Sequence, residues 1–285
     1  MIQNDPGMNA LDWVSRGALL QGGLTEAMVS VPFGSQTYFS GGAGERLVFL
    51  HGAGDHAGSW ARTVPAFIAE YRVIVPDGAG RGTSAPFHGP IGMEVILDGL
   101  DAILAADAVI SQSSGPITLV GNSLGAWVAM VWAAQHPERV KRIVAVNGGP
   151  VRGLRPDLSL TPANREQARR LWNAMTDAAS HTVPDVLLDE LIRKGREGAL
   201  GRLSIDGMQP YLMDGRLHEI TAPVDLIWGE SDQLIPLEYA RTLARELPCA
   251  RLTTIPGCGH IPHLECSERF IATLRAVLQR EPGSS

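Results

Sequence analysis

The feature that most restricts how this chain can fold is a rhythm of short, almost wholly apolar runs alternating with helical stretches. "RLVFL", "YRVIVP", "PITLV" and "KRIVAVN" come first, and "VDLIW" and "ARLTTIP" follow later. A strand with no polar face must be covered on both sides, which is the situation of a strand inside a parallel sheet. The stretches "SWARTVPAFIAE", "IGMEVILDGLDAILAADAV" and "AWVAMVWAAQHP" read as crossover helices, and "LEYARTLAREL" and "ERFIATLRAVLQR" repeat the pattern near the C-terminus. Two earlier runs, "MVSVPF" and "QTYFS", face each other across Gly34 as an antiparallel hairpin. The fold class is therefore α/β: a doubly wound, mostly parallel sheet with right-handed crossovers.

The rhythm stops after Asn147 and resumes at Val224. Connections in such folds usually run about 2–6 residues, so this interval is an inserted subdomain and not a loop. Its pattern is helical. Thr161 and Pro162 suit an N-cap and first turn, ahead of Ala168, Leu171, Trp172, Met175 and Ala179 at three- and four-residue steps. After Pro184, residues Val186, Leu187, Leu188, Leu191 and Ile192 repeat the stripe. The expected division is an N-terminal extension over 1–26, a core over 27–150 and 217–285, and a helical cap over 151–216. Within the extension, "LDWVSRGALL" reads as a short amphipathic helix ended by Gly22 and Gly23, packed on the surface.

A chain of 285 residues with 45% hydrophobic residues can bury a sizeable core. Its net charge of −6, with no basic run, argues against binding nucleic-acid phosphates. The apolar runs are too short to span a bilayer, and the start "MIQNDPGMNALDWVSRGALL" lacks the basic and apolar regions of a secretory signal. A cytoplasmic monomer or homodimer is the expectation. Cys249, Cys258 and Cys266 are too few for a disulfide framework in a chain of this size, though one pair is free to bridge.

Chemistry enters at residues 117–130, "ITLVGNSLGAWVAM". A strand passes into a helix across Gly121, Asn122, Ser123, Leu124 and Gly125 with no room for an ordinary loop. G-x-S-x-G in that setting is a nucleophile elbow, a strained turn that projects the serine above the sheet. The glycines are needed where a side chain would strike neighbouring backbone. The helix that follows aims free N–H groups and its positive dipole end at the same point. A serine hydroxyl needs a base, and "TIPGCGHIPHLE" after the last strand offers His260 at the same sheet edge. The imidazole needs a carboxylate to fix its tautomer, and "LIWGESDQLIP" supplies Asp232, with Glu230 as the lesser candidate.

With these in place, the chain resembles the α/β-hydrolase family over about residues 29–279. The resemblance is carried by "HGAGDHAGSW", "PDGAGRGTS", "GNSLG", "GESDQLIP" and "GCGHIPHLE", in that order, each at the end of an expected strand. It implies Ser123 as nucleophile, His260 as base and Asp232 as its orienter. It also implies an oxyanion hole made of the backbone N–H groups of Ala53 and Leu124, and no cofactor. His51 and Gly52 would shape the oxyanion turn, with His51 structural, as would be Asp77 and Gly80.

Rival readings use the same residues. Cys258, His260, His263 and Cys266 are close enough for zinc, but their spacing fits no usual pattern and zinc would consume the one base the serine needs. His263 then reads as a packed loop residue, and Trp60, Trp127 and Trp132 as core or pocket wall. Arg152, Arg155, Arg165, Arg169, Arg170, Arg193 and Arg196 in the insertion form a solvated face, one of them free to reach an acidic substrate. The expected reaction is hydrolysis of a carboxylic ester or lactone of a small substrate through an acyl-enzyme. Serine at the elbow counts against the dehalogenase and epoxide-hydrolase branches, which the resemblance associates with aspartate there. The first alternative is carbon–carbon bond hydrolysis of the meta-cleavage type, which "GNS" resembles. Ile261 stands where that group usually carries tryptophan. The second is a non-catalytic ligand-binding protein on the same fold.

Overall fold

The structure, a computed structural model, describes residues 4–113, 115–153 and 157–283. The six apolar runs and the two runs of the hairpin all become strands: β1 (Thr25–Val31), β2 (Gly34–Gly41), β3 (Arg46–Leu50), β4 (Arg72–Pro76), β5 (Ile117–Asn122), β6 (Val140–Val146), β7 (Val224–Gly229) and β8 (Ala250–Ile255). They form one sheet in the order β1-β2-β4-β3-β5-β6-β7-β8. The β1–β2 hairpin pairs Val31 with Gly34, and β2 lies antiparallel to β4; the remaining neighbours are parallel. The α-helices are α1 (Ala10–Gln21), α2 (Met93–Ser111), α3 (Leu124–Gln135), α4 (Arg165–Met175), α5 (Asp185–Glu197), α6 (Ile205–Met208), α7 (Leu237–Glu246), α8 (Pro262–Glu265) and α9 (Ser267–Leu278).

The reason for the uninterrupted apolar strands is visible in β3. Leu47 and Phe49 face one side, against Leu19 of α1, Trp60, Phe67, and Phe270 and Leu274 of α9. Val48 and Leu50 face the other, against Leu100 and Leu104 of α2 and Met130 and Trp132 of α3. Both faces are buried, and each such side chain contributes about 1.5–3 kcal/mol by leaving water.

Three expectations change. Residues 59–70 do not form a helix; 3-10 turns over Ala57–Trp60 and Val64–Ala66 replace it, because Pro65 cannot donate within a helix and restricts its predecessor. The first helix of the insertion begins at Arg165, capped by Asn164, whose side chain accepts from Gln167 N–H, so Thr161 and Pro162 lie outside it. Val186 points outward from α5, which buries Leu188 instead. The apparent second stripe is only partly an interior face.

Between β6 and β7 the chain runs through α4, α5 and α6. Ala168, Val183 and Leu188 make a small core there, while Leu171 packs onto Trp228, Leu234 and Ile235 at the end of β7. Helix α1 ends at Gly22 as expected, but it is more than surface packing. Buried Arg16 pairs with Asp77 and with Glu26, Asp12 bonds His56 and Lys194 of α5, and Asn9 bonds Glu190. The extension thus ties the inserted helices to the sheet. No helix of the described residues is long and apolar enough to cross a membrane.

Candidate active site

The turn after β5 is the one the pentapeptide demands. Ser123 sits at φ 53°, ψ −115°, a strained conformation for a residue with a side chain, and caps the start of α3. A Cβ on Gly125 would lie 2.2 Å from the Leu50 carbonyl oxygen, and one on Gly121 would lie 2.2 Å from that of Gly125. Both glycines are therefore obligatory for the close approach of β3, β5 and α3. Ser123 N–H donates to the Val146 carbonyl at 2.9 Å, fixing the turn on β6. The Ser123 hydroxyl has no hydrogen-bond partner among the described residues. Nor do the backbone N–H groups of Ala53 and Leu124. The turn carrying Ala53 lies beside the elbow, for a Cβ on Gly52 would stand 3.5 Å from Ser123 Cβ.

His260 and Asp232 meet. Nδ1 of His260 lies 2.8 Å from Oδ2 of Asp232, with both side chains buried. The carboxylate is fully engaged: Oδ1 accepts from Leu234 and Ile235 N–H, each at 2.9 Å, and Oδ2 accepts from Asn147 Nδ2 at 2.7 Å as well as from the imidazole. An ionised carboxylate of this kind holds Nδ1–H in the ring, which leaves the lone pair on Nε2. Glu230 is turned away; its Oε1 accepts from Thr254 on the exposed side of β8. Asp232 and not Glu230 is thus brought to the histidine.

Several residues of this framework carried no signal that the motif reading used. Asn147 follows β6 at φ 48°, donates to Asp232, and accepts from Gly229 N–H at 3.1 Å. A polar residue ending an apolar strand before "GGP" was the available clue. Asn122, beside Ser123, donates through Nδ2 to the His260 carbonyl at 2.9 Å and to that of Val146 at 3.1 Å. It links the histidine loop directly to the elbow.

The inserted segment forms part of the same framework. The Ala174 carbonyl accepts from Gln233 and Leu234 N–H, and the Met175 carbonyl accepts from His260 N–H at 2.7 Å. Gly259 allows this approach, since a Cβ there would lie 2.2 Å from the Met175 oxygen. Glu265 closes the brace by accepting from Gly259 N–H at 2.6 Å and from Asp177 N–H at 2.7 Å, and Asp177 accepts from Ser231 Oγ at 2.6 Å.

Cys258 and Cys266 form a disulfide across the histidine loop, which settles the pairing the sequence left open. His263 stacks on Trp60, with ring centroids 4.2 Å apart, and burial pushes it down to about 4. Among the described residues no cluster of His, Cys, Asp and Glu is arranged to hold a metal. Trp60 and Trp132 are core, and Trp127 donates to the Tyr211 carbonyl at 2.9 Å. Of the insertion's arginines, Arg165 and Arg169 pair with Asp185 and Asp189, Arg193 with Glu190, Arg196 with Glu197, and Arg152 with Asp214. Arg170 is exposed, and Arg155 lies outside the described residues. Beside Leu124 a small, partly open pocket is lined by Leu50, Pro76, Ile96, Val128 and Leu203, with His51 and Arg81 among its walls.

Comparison with known proteins bears on the family and the fold. The family model described as "Alpha/beta hydrolase family" matches residues 47–273. A 2-hydroxy-6-oxononadienedioate/2-hydroxy-6-oxononatrienedioate hydrolase from Burkholderia vietnamiensis is 31% identical over 85% of this chain and 89% of its own length. A pimeloyl-[acyl-carrier protein] methyl ester esterase from Nitrosomonas europaea is 28% identical over 83% and 96%. Among solved structures, a carboxylesterase from Bacillus subtilis superposes with a TM-score of 0.76 at 21% identity, covering 94% of this chain and 98% of that one.

Proposed function

Because the chain belongs to the alpha/beta hydrolase family, we propose that it is a serine hydrolase that cleaves a carboxylic ester through an acyl-enzyme, with Ser123 as nucleophile, His260 as base and Asp232 as orienter. The observation that carries this reading is the His260–Asp232 contact of 2.8 Å at the edge of the sheet that carries the strained Ser123 turn. Nε2 of His260 takes the hydroxyl proton as Ser123 Oγ attacks the ester carbonyl. The tetrahedral oxyanion is received by the N–H groups of Ala53 and Leu124 and by the positive end of α3. The imidazolium, stabilised by Asp232, returns its proton to the leaving alkoxide. Water, deprotonated by the same nitrogen, then releases the acid and restores the serine.

On this reading the insertion over 151–216 acts as a cap above the site, and the pocket beside Leu124 takes an apolar acyl group. The second reading is carbon–carbon bond hydrolysis, favoured by the 31% identity to the dienedioate hydrolase. Against it weighs the pairing of Arg152, Arg165, Arg169, Arg193 and Arg196 with carboxylates of the insertion itself, which leaves fewer cap arginines to anchor an acidic substrate. Hydrolysis of p-nitrophenyl acetate and butyrate, measured beside loss of a 2-hydroxy-6-oxodienoate chromophore, separates the two. Faster turnover of the esters is expected, abolished in Ser123→Ala. Turnover of the dienoate alone would replace the ester reading with the second.

A further inference from the structure

The loop that carries His260 is held by several hydrogen bonds and by one covalent bond. Cys258, two residues before His260, is bonded to Cys266, which lies between α8 and α9. The two cysteines stand in different surroundings. Cys258 is fully buried in the cluster of Ile255, Phe270 and Leu274, and its carbonyl accepts from Ser231 N–H at 2.8 Å, beside Asp232. Cys266 is half-buried and packs against the same cluster. It follows Glu265, whose carboxylate accepts from Gly259 N–H at 2.6 Å. The bridge and the carboxylate thus tie the two residues before His260 to the end of α8. Non-bonded heavy atoms rest about 3.5–4.0 Å apart, so two thiols need more room than a disulfide. A close-packed interior offers none around Cys258. The displacement on reduction therefore falls on Cys266, and with it on Glu265 and the Gly259–His260 backbone that Glu265 holds.

We propose that the Cys258–Cys266 disulfide positions His260 and makes turnover redox-sensitive: the bridge holds the imidazole in line with Ser123, and reduction by a small thiol releases it. The proposal rests on the serine-hydrolase reading above and extends it to control of the same site. A thiolate attacks Sγ of Cys266, the less buried of the pair, and the S–S bond breaks with Cys258 leaving as a thiolate that takes up a proton. A second thiolate attacks the outer sulfur of the mixed disulfide, and Cys266 leaves and is protonated in turn. The protein gains two electrons and two protons, and the two thiols end as their own disulfide. Cys249 is not bonded and takes no part.

The test compares the air-equilibrated chain with the same chain reduced by dithiothreitol and freed of it by gel filtration under nitrogen. Intact mass should rise by two hydrogens. On p-nitrophenyl butyrate, reduction should lower kcat about 10- to 30-fold at nearly unchanged KM, since a misplacement of about 1 Å at reacting groups costs up to about 10²-fold. Modification of Ser123 by a fluorophosphonate should slow by the same factor, because it too needs the base, and oxidised glutathione should restore both rates. Cys266→Ser should show the low kcat from the start and ignore the reductant, while Cys249→Ser should respond as the wild type does. The reduced wild type carries the test if Cys266→Ser does not fold. A mass unmoved by dithiothreitol would overturn the proposal, as would a loss confined to KM or a Cys266→Ser as active as the oxidised wild type. So would a reduced chain that melts earlier in urea yet keeps its kcat, for the bridge would then only stabilise the fold. An oxidised chain inert toward both ester and fluorophosphonate would instead sink the serine-hydrolase reading, and the role of the bridge with it.

Discussion

Ser123 and the N–H groups of Ala53 and Leu124 stand on the ends of β3 and β5, where the sheet itself holds them. Asp232 and His260 are held differently. Their loops lean on the inserted segment through the carbonyls of Ala174 and Met175 and through the Glu265–Asp177–Ser231 chain. The Ser123 side is thus set by glycine contacts and backbone strain within a few residues of the elbow. The Asp232–His260 side is set by a segment that departs after β6 and returns before β7. The lesson is that seating the insertion and aligning His260 with Asp232 are one structural event, since the same backbone atoms do both.

The largest test of this contrast lies on the nucleophile side. Ser123→Ala should lower kcat on p-nitrophenyl butyrate by roughly 10⁶, with the fold intact by circular dichroism. A small loss would move the nucleophile elsewhere. On the other side, Asp232→Asn should lower kcat by about 10⁴, because an amide no longer holds the Nδ1–H tautomer. Full activity there would hand the orienting role to another carboxylate.

Glu265→Ala probes the brace itself. It leaves the N–H groups of Gly259 and Asp177 without their acceptor, at a cost of about 1–3 kcal/mol each where they are shielded from water. Denaturant melts should show that loss, and kcat should drop while the Asn147–Asp232 contact remains. Unchanged kinetics at reduced stability would separate the seating of the insertion from alignment of the base.

Acid should loosen both halves. Burial holds His51, beneath the oxyanion turn, and His263, behind the base loop, down to about 4. An unfolded imidazole titrates near 6.5, so between those values the unfolded chain binds more protons than the folded one. Stability is then complete above about pH 6.5 and declines toward pH 4, by up to about 1.4 kcal/mol per pH unit for each ring. Urea midpoints at pH 7 and pH 5 should differ accordingly, and His263→Leu should flatten the slope; a midpoint unmoved by pH would contradict it. The smallest effect belongs to Arg165→Ala, whose ion pairs to Asp185 and Asp189 are exposed and should leave the melting temperature within error.

Much of this molecule was legible in its letters because the deciding forces are local. An apolar run with no polar face announces a doubly covered strand, and all six such runs formed strands. Glycines on either side of Asn122–Ser123–Leu124 announce a turn that only they permit. Even the choice of Asp232 over Glu230 followed from its place deeper in the turn. The helix read over residues 59–70 failed for an equally local reason, the Pro65 that interrupts it. What the letters could not show are contacts between residues distant along the chain. Asn147 reaches Asp232, Asn122 reaches the carbonyl of His260, and Glu265 reaches Asp177. A single asparagine or glutamate has the same local propensity whether it is solvated or bridging two loops. Only the folded sheet, by bringing the ends of β5, β6, β7 and β8 and the close of α4 to one rim, decides which of them lose water and must find each other.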